Sequence, residues 1–137
     1  MFDPLSLLLD AGKITLDLLG KSTVRKDARR ENVAGYLAEI AKTIQDAADV
    51  FKNGDVPHGS CSVMKQLALS LPQTIGDFIG KTEALDLQDK LLKAHNIEKF
   101  MYDLSKNDKK ERAETIAKME QAAGLFKAAA ITIRASN

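Results

Sequence analysis

Three sets of apolar residues recur at spacings of three and four: Val33, Leu37, Ile40, Ile44, Ala47 and Phe51; Leu87, Leu91, Ala94, Ile97, Met101 and Leu104; and Ile116, Met119, Ala123, Phe126, Ala130 and Ile133. Residues so spaced share one face of an α-helix, so each set predicts a helix that buries that face. No segment sustains the period-two alternation and turn chemistry that a hairpin needs. Alanine (18) and leucine (17) supply about a quarter of the 137 residues. Both keep their side-chain freedom in a helix, which favours the same conclusion. The expected fold is all-α, a bundle of four to five mostly antiparallel helices in a single domain spanning residues 1–137.

Local punctuation sets the expected boundaries. Asp3-Pro4 reads as an N-cap followed by proline at the first helical position, and Gly20 ends that helix. A second helix is expected from Thr23 to Lys52, stopped by Asn53-Gly54-Asp55. Ser60 reads as the cap of a short third helix through Leu71, after which Pro72 restarts a further turn ending near Gly80. A fourth helix is expected over Thr82–Ser105. Asp108 and Glu111 form a capping box for the last, Lys109–Arg134. The connections are short, which makes sequential helices antiparallel neighbours.

The first helix does not fit a plain bundle. Asp3, Ser6, Asp10, Lys13 and Asp17 fall within a stripe of roughly 80° on a helical wheel. Apart from Thr15 and two glycines, the rest is apolar: Leu5, Leu7, Leu8, Leu9, Ala11, Ile14, Leu16, Leu18 and Leu19. A surface helix needs an apolar arc of only about 100° or more, and this one offers about twice that. Either the other helices surround it, or its spare apolar surface has another use. Seventeen helical residues span about 25 Å, short of a hydrocarbon core of about 30 Å. Each charge at a bilayer centre costs about 2.5–3.5 kcal/mol, which argues against a lone transmembrane anchor. No basic n-region precedes the apolar stretch, and Asp10 interrupts it, so it does not read as a secretory signal peptide. A helix lying in the membrane interface, or several gathered around a lumen, tolerates these charges. Lys21, Arg25, Lys26, Arg29 and Arg30 follow directly, opposed only by Asp27 and Glu31. Such a basic cluster suits an anionic leaflet, although basic residues at a helix start also occur as an ordinary solvated face.

The opening Met1-Phe2-Asp3-Pro4-Leu5-Ser6-Leu7-Leu8-Leu9, leading into a glycine-dotted apolar helix and a long bundle, resembles HeLo-type domains and their bacterial counterparts, the Bell domains. The segment Gly54-Asp55-Val56-Pro57-His58-Gly59-Ser60-Cys61 also looks like a loop of bacterial members. The resemblance covers most of the chain as one domain. It implies an N-terminal helical effector of regulated cell death or anti-phage defence. Its first helix is targeted to the membrane after amyloid-templated oligomerisation, and it permeabilises the cell's own membrane. Such effectors normally carry an amyloid signalling motif beyond the bundle, and Ala135-Ser136-Asn137 is not one. The resemblance therefore implies an isolated effector domain or a different trigger.

On this reading Leu5, Leu7, Leu8, Leu9, Ile14, Leu16, Leu18 and Leu19 insert into the membrane. Asp3, Asp10 and Asp17 recur every seven residues, drift only about 20° per heptad, and would face a lumen. Lys21, Arg25, Lys26, Arg29 and Arg30 would contact anionic lipid of the inner leaflet. The protein would move from the cytoplasm to the inner face of the cell membrane on activation, as a homo-oligomer. The competing reading is a soluble helical adaptor or homo-oligomerisation module that binds a partner through the same surface.

Other chemistries find little support. The single cysteine excludes an intramolecular disulfide and fits a reducing cytosol. With two histidines it cannot build a closed zinc site of the usual kind. His58 and Cys61 lie three apart, but no third group orients them as a nucleophile and base. His95 has no evident metal partners. Glu111, Glu114 and Glu120 lie among Lys109, Lys110, Arg112 and Lys118, a mixed-sign helical surface rather than a metal box. Gly76 and Gly80 lack the lysine and hydroxyl residue of a phosphate loop. A net charge of +1 and seven aromatics with no tryptophan do not suit a nucleic-acid binder. The expectation is a non-enzymatic protein with no cofactor, no metal, no small-molecule substrate and no nucleic-acid partner.

Overall fold

The computed structural model describes residues 4–20, 30–94, 99 and 109–135. Within them lie five α-helices: α1 (Pro4–Gly20), α2 (Arg30–Lys52), α3 (His58–Ile79), α4 (Lys81–Ala94) and α5 (Lys109–Ala135). The described residues contain no strand, so the chain is an all-α bundle. The expected segments 23–29 and 95–105, the caps at Asp3 and Asp108, and His95 fall outside the described residues, except Lys99, which is helical.

All six residues of the α2 stripe, Val33 through Phe51, are buried. On α5, Met119, Ala123, Phe126, Ala130 and Ile133 are buried, and Ile116 packs against them. Leu87 and Leu91 anchor α4, while Ile97, Met101 and Leu104 lie outside the described residues. The helices form a ring: α2 packs along α5 and beside α3, α3 along α4, and α1 bridges α4 and α5. Among the described residues α4 and α5 barely meet directly, so α1 is the element that closes the ring.

Polar contacts set the α2–α5 register. Arg134 Nε donates to Glu31 at 2.9 Å, Gln45 Nε2 to Glu120 at 3.3 Å, and Arg112 Nη2 to the Phe51 carbonyl at 2.8 Å. The pairs ascend one helix as they descend the other, so the two are antiparallel. Arg112 also lies over the Phe51 ring, 5.0 Å from its centre, and places its charge at the carbonyl end of α2, where the helix dipole favours a cation.

Two expected boundaries differ. The third helix does not start at Ser60. It begins at His58 after Pro57, and the Cys61 amide donates to the Pro57 carbonyl at 3.0 Å. Nor does it break at Pro72, which lies inside one continuous helix. Proline supplies no amide to the carbonyl four residues back, that of Ala68. Gln88 Nε2 of α4 reaches across instead, donating to the Ala68 and Leu69 carbonyls at 3.2 Å each. At the preceding residue, the Tyr36 hydroxyl of α2 donates to the Leu67 carbonyl. Side chains from both neighbouring helices thus serve the carbonyls around the proline turn. At the next corner Gly80 has φ of +100° and joins α3 to α4 in one residue. An L side chain there would be strained, and its Cβ would also meet the Glu83 carboxylate.

Candidate functional site

The candidate site is α1 and the groove that holds it. Leu5, Leu8, Ala11, Thr15 and Leu19 are buried, at spacings of three and four, and form its inner stripe. Leu9, Ile14, Leu16 and Leu18 are partly buried and pack against the core, and Leu7 is partly buried. Ser6, Asp10, Lys13 and Asp17 are exposed. The unusually wide apolar arc is therefore absorbed by contact with two helices at once, α4 on one side and α5 on the other. Of the seven leucines and one isoleucine expected to insert into a membrane, three are buried and five partly buried in this state.

Two details make this docking tight. The buried Thr15 hydroxyl donates to the Ala11 carbonyl at 2.7 Å, so it meets the apolar neighbours without an unmet donor. At Gly12 the two backbones come close. A Cβ placed there would lie 3.0 Å from Leu125 Cβ and 3.5 Å from the Phe126 ring. Gly12 is thus a notch in α1 that α5 fills. In the sequence, Gly20 reads as the end of this helix and Gly12 only as an exception to its apolar arc. The available signal was a glycine at the centre of an otherwise strong apolar helix, where it weakens the helix unless close packing requires it.

Asp10 and Asp17 lie on one exposed face, as the heptad spacing predicts. Asp3, Lys21, Arg25, Lys26 and Arg29 fall outside the described residues. Arg30 is partly buried at the start of α2. His58 is exposed at the start of α3 and Cys61 is a buried cysteine one turn on. Among the described residues no group of three or more His, Cys, Asp or Glu side chains could hold a metal ion. No helix among them is long and apolar enough to cross a membrane.

Burial and polar contacts perturb the ionisation of three groups elsewhere. Burial between α2 and α3 pushes the Tyr36 phenol up to about 12, slightly opposed by a hydrogen bond with Ser70. On the surface, the hydrogen bond between Lys52 and Glu120 (2.9 Å) raises the lysine and lowers the carboxyl, with Gln45 adding to the second effect. These groups hold the α2–α3 and α2–α5 contacts and lie away from α1. No family model matches the chain, and neither does a curated protein or a solved structure.

Proposed function

We propose that this protein is a non-enzymatic, membrane-targeting helical effector, of the Bell or HeLo kind, which oligomerises and permeabilises membranes in regulated cell death or anti-phage defence. The observation that supports it is the placement of α1. This helix is apolar on nearly every side, and it is held as a wedge between two helices that barely touch each other. The other helices keep a continuous chain of contacts without it, α5 to α2 to α3 to α4. Withdrawing α1 opens the ring while leaving that chain intact. The released leucines then need an apolar medium, and a bilayer supplies one. Lys21, Arg25, Lys26, Arg29 and Arg30, which follow α1 in the sequence, would draw it to an anionic inner leaflet. In an assembly, Asp10 and Asp17 on the polar face, with Asp3 in line, would stay hydrated towards a lumen and favour cations, with Lys13 moderating the preference.

The same burial also supports a second reading, a soluble adaptor or homo-oligomerisation module in which α1 is a permanent part of the core. Dye release separates the two. The 137-residue chain should release dye from vesicles containing phosphatidylglycerol and spare vesicles of phosphatidylcholine alone. Gly12→Val, which overfills the notch against Leu125, should release more dye without any trigger. If neither protein causes release, the effector reading is wrong and the adaptor reading takes its place.

A further inference from the structure

A groove of about 420 Å³ runs along the outer face between α2 and α5. Ala38 and Ala41 of α2 and Ala123 and Gly124 of α5 line it, so the two backbones lie close to its surface. Gly124 contrasts with Gly12. It is exposed in mid-helix, and a Cβ added there meets nothing within 4 Å. No described residue fills the space that a Cβ would take at Gly124. Ile131, beside the groove, is 54% exposed, the highest of the exposed large apolar side chains.

The charges along the groove are graded. Because α2 and α5 are antiparallel, Lys127 and Arg134 (itself paired with Glu31) lie towards one end and Asp46 and Glu120 (itself paired with Lys52) towards the other, with Lys42 between them, so Lys127 and Asp46 carry the complementarity. We propose that two copies of this chain pair through this groove, antiparallel, about a two-fold axis near the level of Ala41 and Gly124. An isologous pair presents the same patch twice. Only the antiparallel arrangement lays the basic end of one copy on the acidic end of the other; a parallel one sets like charge against like. Gly124 at the axis lets the two backbones approach, and Ile131 is covered. The inference rests on the assembly step of the function proposed above and is independent of its membrane step.

Sedimentation equilibrium over a concentration series tests it. The wild-type chain should pass reversibly from 15.0 kDa to twice that mass. Lys127→Glu and Asp46→Lys change exposed residues and set like charges against each other, so each should weaken the dimer by about tenfold or more. An equimolar mixture of the two should restore it, because each variant then meets its opposite. Gly124→Leu should be monomeric, with helicity and melting temperature no lower than those of the wild type. A wild type that stays monomeric at several hundred micromolar, a Gly124→Leu dimer, or a mixture without rescue would overturn the proposal. Dye release is read separately. Dimers that pass these tests but release no dye support the pairing and remove the membrane reading. Dye release by Gly124→Leu at wild-type level removes the pairing as the route of assembly and leaves the membrane reading standing.

Discussion

Helices α1 and α2 both lie against α5, and they are held there in different ways. Along α2 the apolar seam is reinforced by polar contacts spread over its length: Glu31 to Arg134, Gln45 and Lys52 to Glu120, and the Phe51 carbonyl to Arg112. These contacts are directional and fix register. The α1 face is built of leucines and a glycine notch against Leu125 and Phe126. Apolar burial is non-directional and scales with area removed from water, at about 25 cal/mol per Å², so another apolar medium would offset much of what α1 loses on leaving the groove. On the proposed function, this difference makes α2–α5 the frame of the molecule and α1 the part that leaves.

The comparison is broken most severely at Phe126, which is fully buried on the helix that α1 and α2 share. Phe126→Ala should cost about 3–5 kcal/mol in urea denaturation, destabilising both sides together. Gly12→Val separates the two sides. It overpacks the notch and should cost about 1–3 kcal/mol. Amide exchange should rise in α1 while α2 and α5 stay protected. A uniform rise in all helices would mean that α1 and the frame unfold as one unit.

Smaller changes sharpen the account on the far side of the ring. Gln88→Leu removes the donor that serves the Ala68 and Leu69 carbonyls at the proline turn. It should cost about 0.5–1.5 kcal/mol, the net worth of a partly buried hydrogen bond. Pairing it with Pro72→Ala, which returns an amide to Ala68, should recover most of that loss. Tyr36 adds an effect of a different kind, a pH dependence confined to alkali, beside the loss of its hydrogen bond to the Leu67 carbonyl. Burial holds its phenol up at about 12, above the ordinary value of 10.0. Its contribution is constant below pH 10 and is lost as pH rises towards 12, because the unfolded chain ionises first. Tyr36→Phe should flatten that part of a stability profile measured between pH 9 and 12.

The helical periods, and the residues buried on α2 and α5, were legible in the sequence because each depends on spacing within one element. The polar stripe of α1 was legible for the same reason, and Ser6, Asp10, Lys13 and Asp17 are all exposed. What the sequence hid depends on partners distant in the chain. Pro72 reads as a break until Gln88, sixteen residues later, is seen to supply the missing donor. Ser60 reads as a cap because the local pattern carries no sign that Pro57 begins the helix. The wide apolar arc of α1 could mean enclosure or spare surface, and choosing between them required knowing that α4 and α5 leave a gap that it fills.

Native-state hydrogen exchange of the wild-type chain, followed by helix at increasing sub-denaturing urea, tests the separability of α1 most directly. The account predicts that α1 amides exchange through an opening of lower free energy than those of α2 and α5, as an independent unit that opens first. Exchange of α1 only through the global unfolding that exposes α2 and α5 would contradict it, since a helix that leaves only when the frame melts cannot be delivered to a membrane by an intact bundle.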